Sequence, residues 1–138
     1  MENNATKNEK LFNKKMGGTL QSKKCYSKQI NGDKVEISVD FHLEHDGKLY
    51  LIEIDSANEA KLLVGQYCLL NKLFHESQYE AKDTIFVVVH FYAGYNPQRT
   101  IKNLKFVQDL FRNPIPFKVF HQGSIADLTD FLAKISAP

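Results

Sequence analysis

The sequence is poor in cysteine. Cys25 and Cys68 are its two, with no C-x-x-C pair and no Cys/His cluster. That excludes a disulfide-stapled scaffold and a thiolate metal knot, and reads as two reduced thiols of a cytosolic protein. Long apolar runs are missing too: none approaches the ~20 residues that span a bilayer. The stretch from Met1 to Lys15 is polar rather than a secretory signal. The expectation is a soluble, cytoplasmic chain with no membrane partner. Internal repeats and low-complexity linkers are also absent. What is present is ordinary globular material, 43% hydrophobic and 25% charged, with ten Phe and six Tyr to fill a core. A length of 138 residues suits one domain. We read 1–138 as that domain, with residues 1–5 expected to be disordered.

Net charge is +2, but it is unevenly spread. Residues 1–34 carry eight lysines against Glu2, Glu9 and Asp33, which leaves +5 there and −3 in the remainder. A basic lobe beside an acidic remainder suits a polyanion binder that also holds a cation. A solvated lysine-rich arm has the same composition.

Thr6-Lys7-Asn8-Glu9 has capping-box spacing and predicts a helix to about Lys15, ended by Gly17-Gly18. Thr19 to Ile30 can form an edge strand, and Asn31-Gly32-Asp33 signals a turn. Val35 to His45 alternates, with Val35, Ile37, Val39, Phe41 and Leu43 on one face. Asp46-Gly47 is a two-residue hairpin turn into a strand over Lys48 to Asp55. Ser56-Ala57-Asn58-Glu59 is a second capping box, opening a helix with Leu62, Leu63, Tyr67, Leu70, Leu73 and Phe74 at core spacings. Thr84 to Tyr92 is a continuous apolar run, hence a strand buried on both faces. Pro97 starts a helix to about Arg112, Ile115 to His121 is a strand, and Ser124 caps a last helix ending near Ile135. The order α-β-β-β-α-β-α-β-α predicts an α/β domain with a mixed sheet and flanking helices.

The hairpin carries the functional signal. If Asp46 and Gly47 are the loop, His45 faces Lys48, and each facing pair sums to 93. Asp40 then faces Glu53, with Asp55 one pleat further along the same face. The Cβ atoms of Asp40 and Glu53 would lie roughly 4.5–5.5 Å apart. Facing like charges destabilise a hairpin and raise each other's pKa. A hard divalent cation removes that penalty, since Mg²⁺ takes carboxylate oxygens and water.

Val39-Asp40-Phe41 followed by Leu49 to Asp55 (LYLIEID) resembles the PD-(D/E)XK nuclease superfamily. The pairing of V-D-F with I-E-I-D is closest to the very-short-patch repair endonucleases and related small nuclease-like domains. The likeness covers about residues 6–92 and implies a restriction-endonuclease-like core. It also implies Mg²⁺ or Mn²⁺ on Asp40 and Glu53, and DNA as partner. Two departures stand out. Asp55 occupies the position of the usual lysine, where it could bind metal or act as a base but not as a cation. Ser56, Ala57, Asn58 and Glu59 stand where the repair enzymes have histidines.

A substitute lysine could come from Lys61 on the next helix, unless it simply faces solvent. Gln66 on that helix could support the site or sit at the helix edge. Glu9 could join the metal shell, or cap the first helix with Thr6; Glu59 has the simpler role of capping with Ser56. His42 points toward the acidic face, as a functional group or a partly buried neutral ring. Lys10, Lys14, Lys23 and Lys24, with Arg99, Lys102 and Lys105, are candidate nucleic-acid contacts that would set affinity and salt dependence. Tyr92 and Tyr95 beside Asn96 could stack on a base or pack a loop. The expected function is a metal-dependent endonuclease hydrolysing DNA phosphodiester bonds. Asp40, Glu53 and Asp55 would be the metal ligands, and Lys61 or Gln66 would support the water. Such an enzyme could be a homodimer or belong to a larger assembly. The rivals are a catalytically degenerate nuclease fold acting as a DNA-binding or assembly module, and an unrelated α/β domain with an acidic hairpin.

Overall fold

Turn chemistry sets the strand pairing. The structure, a computed structural model, describes residues 3–57, 59–77, 83–91 and 97–138. In it Asn31 and Gly32 (φ 51° and 86°), and again Asp46 and Gly47 (φ 51° and 77°), adopt the left-handed backbone of tight hairpin turns. They join β1 (Gln21–Ile30), β2 (Asp33–His45) and β3 (Lys48–Asp55) into an antiparallel meander. The register is the one expected, with His45 facing Lys48, Leu43 facing Tyr50 and Phe41 facing Ile52.

From β3 the chain crosses through α2 (Ala60–Ser77) to β4 (Thr84–His90), and through α3 (Pro97–Val107) to β5 (Phe117–His121). Both crossovers make parallel pairs, so the sheet is mixed, in the order β1-β2-β3-β4-β5. β4 is central and all seven of its residues are buried, as a parallel strand covered on both faces requires. One face packs on α1 (Asn4–Lys15) and α4 (Leu128–Ser136), through Phe12, Met16, Phe131 and Ile135. The other packs on α2 and α3, through Leu63, Tyr67, Leu70, Leu73 and Leu104. Among the described residues no helix is long and apolar enough to cross a membrane.

Several boundaries differ from the sequence expectation for physical reasons. Asn3, not Thr6, caps α1: its side chain accepts from the Thr6 N–H at 2.8 Å. The helix therefore starts at Asn4, inside the stretch expected to be disordered, and Glu9 lies two turns in. Asp127 rather than Ser124 caps α4, accepting from the Asp130 N–H at 2.9 Å. α3 ends at Val107 and a short 3-10 turn, Gln108–Leu110, follows. β5 starts at Phe117 because Pro116 has no N–H for the ladder. Leu62, expected in the core, is 64% exposed, while its neighbour Leu63 is buried. Tyr92, Tyr95 and Asn96 lie outside the described residues.

A break in the β1–β2 ladder positions the site. β1 and β2 pair from Ile30↔Asp33 to Lys24↔Val39 and again from Ser22↔Phe41, and the rung between, Lys23 with Asp40, is missing. Lys23 has φ 41°, left-handed for a residue inside a strand, a conformation that costs on the order of 1–2 kcal/mol outside glycine. Alternation slips at this rung. Val35, Ile37 and Val39 pack toward α2, whereas Phe41 and Leu43 pack toward α1 and α4. The five do not share one face, and Asp40 sits where the faces exchange.

Candidate acidic site at the β2–β3 split

The ladder between β2 and β3 ends at Phe41↔Ile52. Its continuation would bring Val39 opposite Ile54. Instead the Ile54 N–H donates to a carboxylate oxygen of Asp40 at 2.8 Å. A side chain thus takes the place of a ladder bond, and the two strands part around it.

Three acids meet at this split. Glu9, reaching in from α1, and Glu53, from β3, both lie close enough to the Asp40 carboxyl for it to raise their pKa. Asp40 thus meets one acid from α1 and one from β3. Burial, followed by the charge and hydrogen bond of Asp40, raises Glu9 to about 7. Burial also raises Glu53 to about 10, with Asp40 and Glu9 adding to it and the Gln66 hydrogen bond opposing it. Gln66 of α2 donates through Nε2 to the Glu53 carboxylate and to the Ser38 carbonyl, the latter at 3.1 Å. It ties α2 to both strands of the split.

This donor set is hard oxygen alone, suited to Mg²⁺ or Mn²⁺ and unsuited to a soft metal. Among the described residues no three or more His, Cys, Asp or Glu are arranged as a ready metal-holding group.

Asp55 belongs to another network. Its carboxylate oxygen lies 2.7 Å from His90 Nδ1 and also accepts from the N–H groups of Ala57 (3.3 Å) and Glu59 (3.4 Å) at the entry to α2. Burial pushes the Asp55 carboxyl up, but the bonds from His90 and these N–H groups outweigh it and hold its pKa below the usual carboxylate range. On the far side of the ring, His90 Nε2 lies 3.3 Å from Thr100 Oγ1. The Asp-His-Thr order copies an acyl-transfer triad. Thr100 is only 1% exposed and His90 fully buried, so the three form an internal brace between β3, β4 and α3.

The other candidates are dispersed. Lys61 is exposed and borders a groove with Val64 of α2 and Asn103, Phe106 and Val107 of α3, about 140° around α2 from Gln66. Glu59 is exposed and supplies its N–H to Asp55. His42 lines a cleft of about 290 Å³ with Lys24, Gln21 and Glu44. Its Nδ1 is buried with no hydrogen-bond partner among the described residues, and burial, then Lys24, lowers its pKa. Lys10 and Lys14 lie on the solvent side of α1 with Lys7 and Leu11, around the helix from Glu9. Arg99, Lys102 and Lys105 are exposed on α3, across the sheet from α1.

Sequence reasoning underweighted Glu9, because Thr6 looked like its capping partner. Asn3, a better cap immediately before the helix, was the signal that frees Glu9. No family model, curated protein or solved structure matches the chain.

Proposed function

We propose that this chain is a metal-dependent endonuclease hydrolysing DNA phosphodiester bonds at the Glu9–Asp40–Glu53 site. One observation carries the reading: the β2 carboxylate Asp40 is joined by an acid from α1 and an acid from β3 where the two strands part. Acids gathered this closely, with Glu9 and Glu53 raised, are costly alone and are relieved by a divalent cation. The resemblance of the Asp40 and Glu53 stretches to PD-(D/E)XK nucleases points the same way.

Asp40, Glu53 and Glu9 would hold Mg²⁺ or Mn²⁺, and Gln66 would fix the Glu53 carboxylate. The bound cation supplies Lewis-acid charge for the phosphate and a more acidic water. In the hydrolysis a water oxygen bonds to phosphorus and the bond from phosphorus to the sugar oxygen breaks. The electron pair leaves on that oxygen, which gains a proton, while the attacking water gives one up. Asp55 takes no part, because His90 and the entry to α2 occupy its oxygens.

The second reading is a degenerate nuclease fold that binds DNA or a protein without cutting. What favours it is the same commitment of Asp55, at the position where the resembling enzymes have a lysine. Plasmid and branched DNA incubated with Mg²⁺ or Mn²⁺, beside Glu53→Ala, separates the two. Metal-dependent cutting lost in the variant is the expected result. Folded protein that binds DNA and never cuts it supports the module instead.

A further inference from the structure

The inner face of α3 is spoken for: Thr100 and Leu104, one turn apart, are buried toward the sheet. Phe106 comes two residues after Leu104, about 200° around the helix, and is 82% exposed. Leu110, in the 3-10 turn that follows, is 70% exposed. A single apolar side chain at a surface is ordinary, but Phe106 is not isolated. With Asn103 and Val107 of α3 and Lys61 and Val64 of α2 it lines a groove of about 280 Å³ between the two helices. Val64 and Val107 are half-buried and rest on the core cluster of α2 and α3. The groove thus has an apolar wall fixed to the core and one large exposed ring.

Charge around the groove is of one sign. α3 carries Arg99, Lys102 and Lys105 and no acid, and Lys61 lies on the α2 side. None of these four has an ion-pair or hydrogen-bond partner among the described residues. Several other lysines are matched: Lys28 and Lys72 with Glu76, Lys34 with Glu36, Lys134 with Asp130. The acids that follow or precede these helix segments are Glu59 and Asp109, which leaves the face positive.

The two properties together select the occupant. A second copy of the same face would bring the cations against their own kind. A nucleic acid matches the charge, but its phosphates are held by cations and polar groups and leave Val64 and Val107 without a use. A peptide with an apolar side chain for the groove and carboxylates for its rim matches both, and a groove between helices is suited to an amphipathic helix.

We propose that the α2–α3 groove docks an acidic amphipathic helix of a protein partner. The helix seats a large apolar side chain against Val64, Phe106 and Val107, and its carboxylates pair with Lys61, Arg99 and Lys102. This surface is separate from the acid cluster: Gln66, which reaches Glu53, lies about 140° around α2 from Lys61. The inference therefore stands or falls apart from the nuclease reading.

The test is the fluorescence anisotropy of a labelled helical peptide, with leucines at i, i+3, i+4 and i+7 and glutamates elsewhere, titrated with the full chain. Micromolar binding is expected. Phe106→Ala should weaken it about tenfold. Arg99→Glu combined with Lys102→Glu should weaken it about as much, by an amount that shrinks as salt is added. All three positions are exposed, so these variants should melt within about 2 °C of wild type. The same peptide with lysine for glutamate should bind about tenfold more weakly or not at all. No binding of the acidic peptide by folded wild type overturns the proposal. So does binding that Phe106→Ala leaves unchanged, which puts the peptide on another basic surface. Two further results overturn it by naming a different occupant. One is a labelled DNA strand that binds, and loses affinity in Phe106→Ala, where the acidic peptide does not bind. The other is a wild-type dimer in sedimentation that Phe106→Ala converts to a monomer.

Discussion

His90 Nδ1 lies 2.7 Å from an oxygen of the Asp55 carboxylate, with His90 fully buried and Asp55 only 6% exposed. A pair this dry cannot lose one member cheaply. Removing the charge of Asp55 leaves a buried imidazole and two N–H groups with a poorer acceptor, and costs about 2 kcal/mol or more. Asp55→Asn is therefore expected to lower stability in urea unfolding by about that amount. Its Mn²⁺ affinity should stay within about threefold of wild type, because Asp55 stands outside the acid cluster. A tenfold loss of affinity in a folded variant would return Asp55 to the metal shell.

Stability should depend on pH with an unusual sign. Glu9 and Glu53 hold their protons up to about 7 and about 10, against an ordinary value of 4.5. Between 4.5 and those values the folded state binds more protons than the unfolded one, so stability falls as pH rises. Asp55, with its lowered pKa, contributes the opposite slope below its ordinary 3.8, where acid removes its stabilisation. The metal-free protein is thus expected to be most stable near pH 5 and to lose melting temperature steadily toward pH 9. Asp40→Asn, which removes one of the repelling groups, should flatten that decline. A melting temperature that climbs from pH 5 to 9 would show that the acids do not share a crowded site.

The hairpin was readable because it is local. Asp46-Gly47 permits one turn geometry, that turn fixes one register, and the register brings Asp40 near Glu53. The slip at Lys23 and Asp40 was not readable. A strand whose odd residues are Val35, Ile37, Val39, Phe41 and Leu43 looks regular, and hydrophobic residues serve equally well on either face of a sheet covered on both sides. The partners of Asp55 were not readable for a similar reason. In sequence it continues the acidic face of Glu53, and its partner His90 lies a whole crossover away on β4. The helix entry at Ser56 to Glu59 held the missed hint, since an Asp just ahead of a helix commonly accepts from its first N–H groups. The two-layer core followed from periodicity, as the fully buried β4 shows.

The placement of the basic residues separates two DNA-binding expectations. Lys23 and Lys24 sit on β1 beside the split, while Lys10 and Lys14 lie on the outer side of α1. Fluorescence anisotropy with a labelled duplex, repeated across salt concentrations, distinguishes them. Replacing Lys23 and Lys24 together by alanine should reduce the slope of log affinity against log salt by about two. Replacing Lys10 and Lys14 should change it by less than about one. Equal losses from both pairs would mean that DNA crosses the face of α1 instead of entering the split.

The claim that Glu9, Asp40 and Glu53 form one cation site is tested most directly by the protons that leave when metal binds. At pH 7 Glu53 carries a proton and Glu9 about half of one, given their values of about 10 and about 7. A divalent cation needs both carboxylates ionised. Calorimetric titration of the protein with Mn²⁺ at pH 7, in two buffers of different ionisation enthalpy, reads this number. The account predicts release of about one and a half protons per ion bound, lost in Asp40→Asn. Binding with no proton release, or no binding by folded protein, would contradict it.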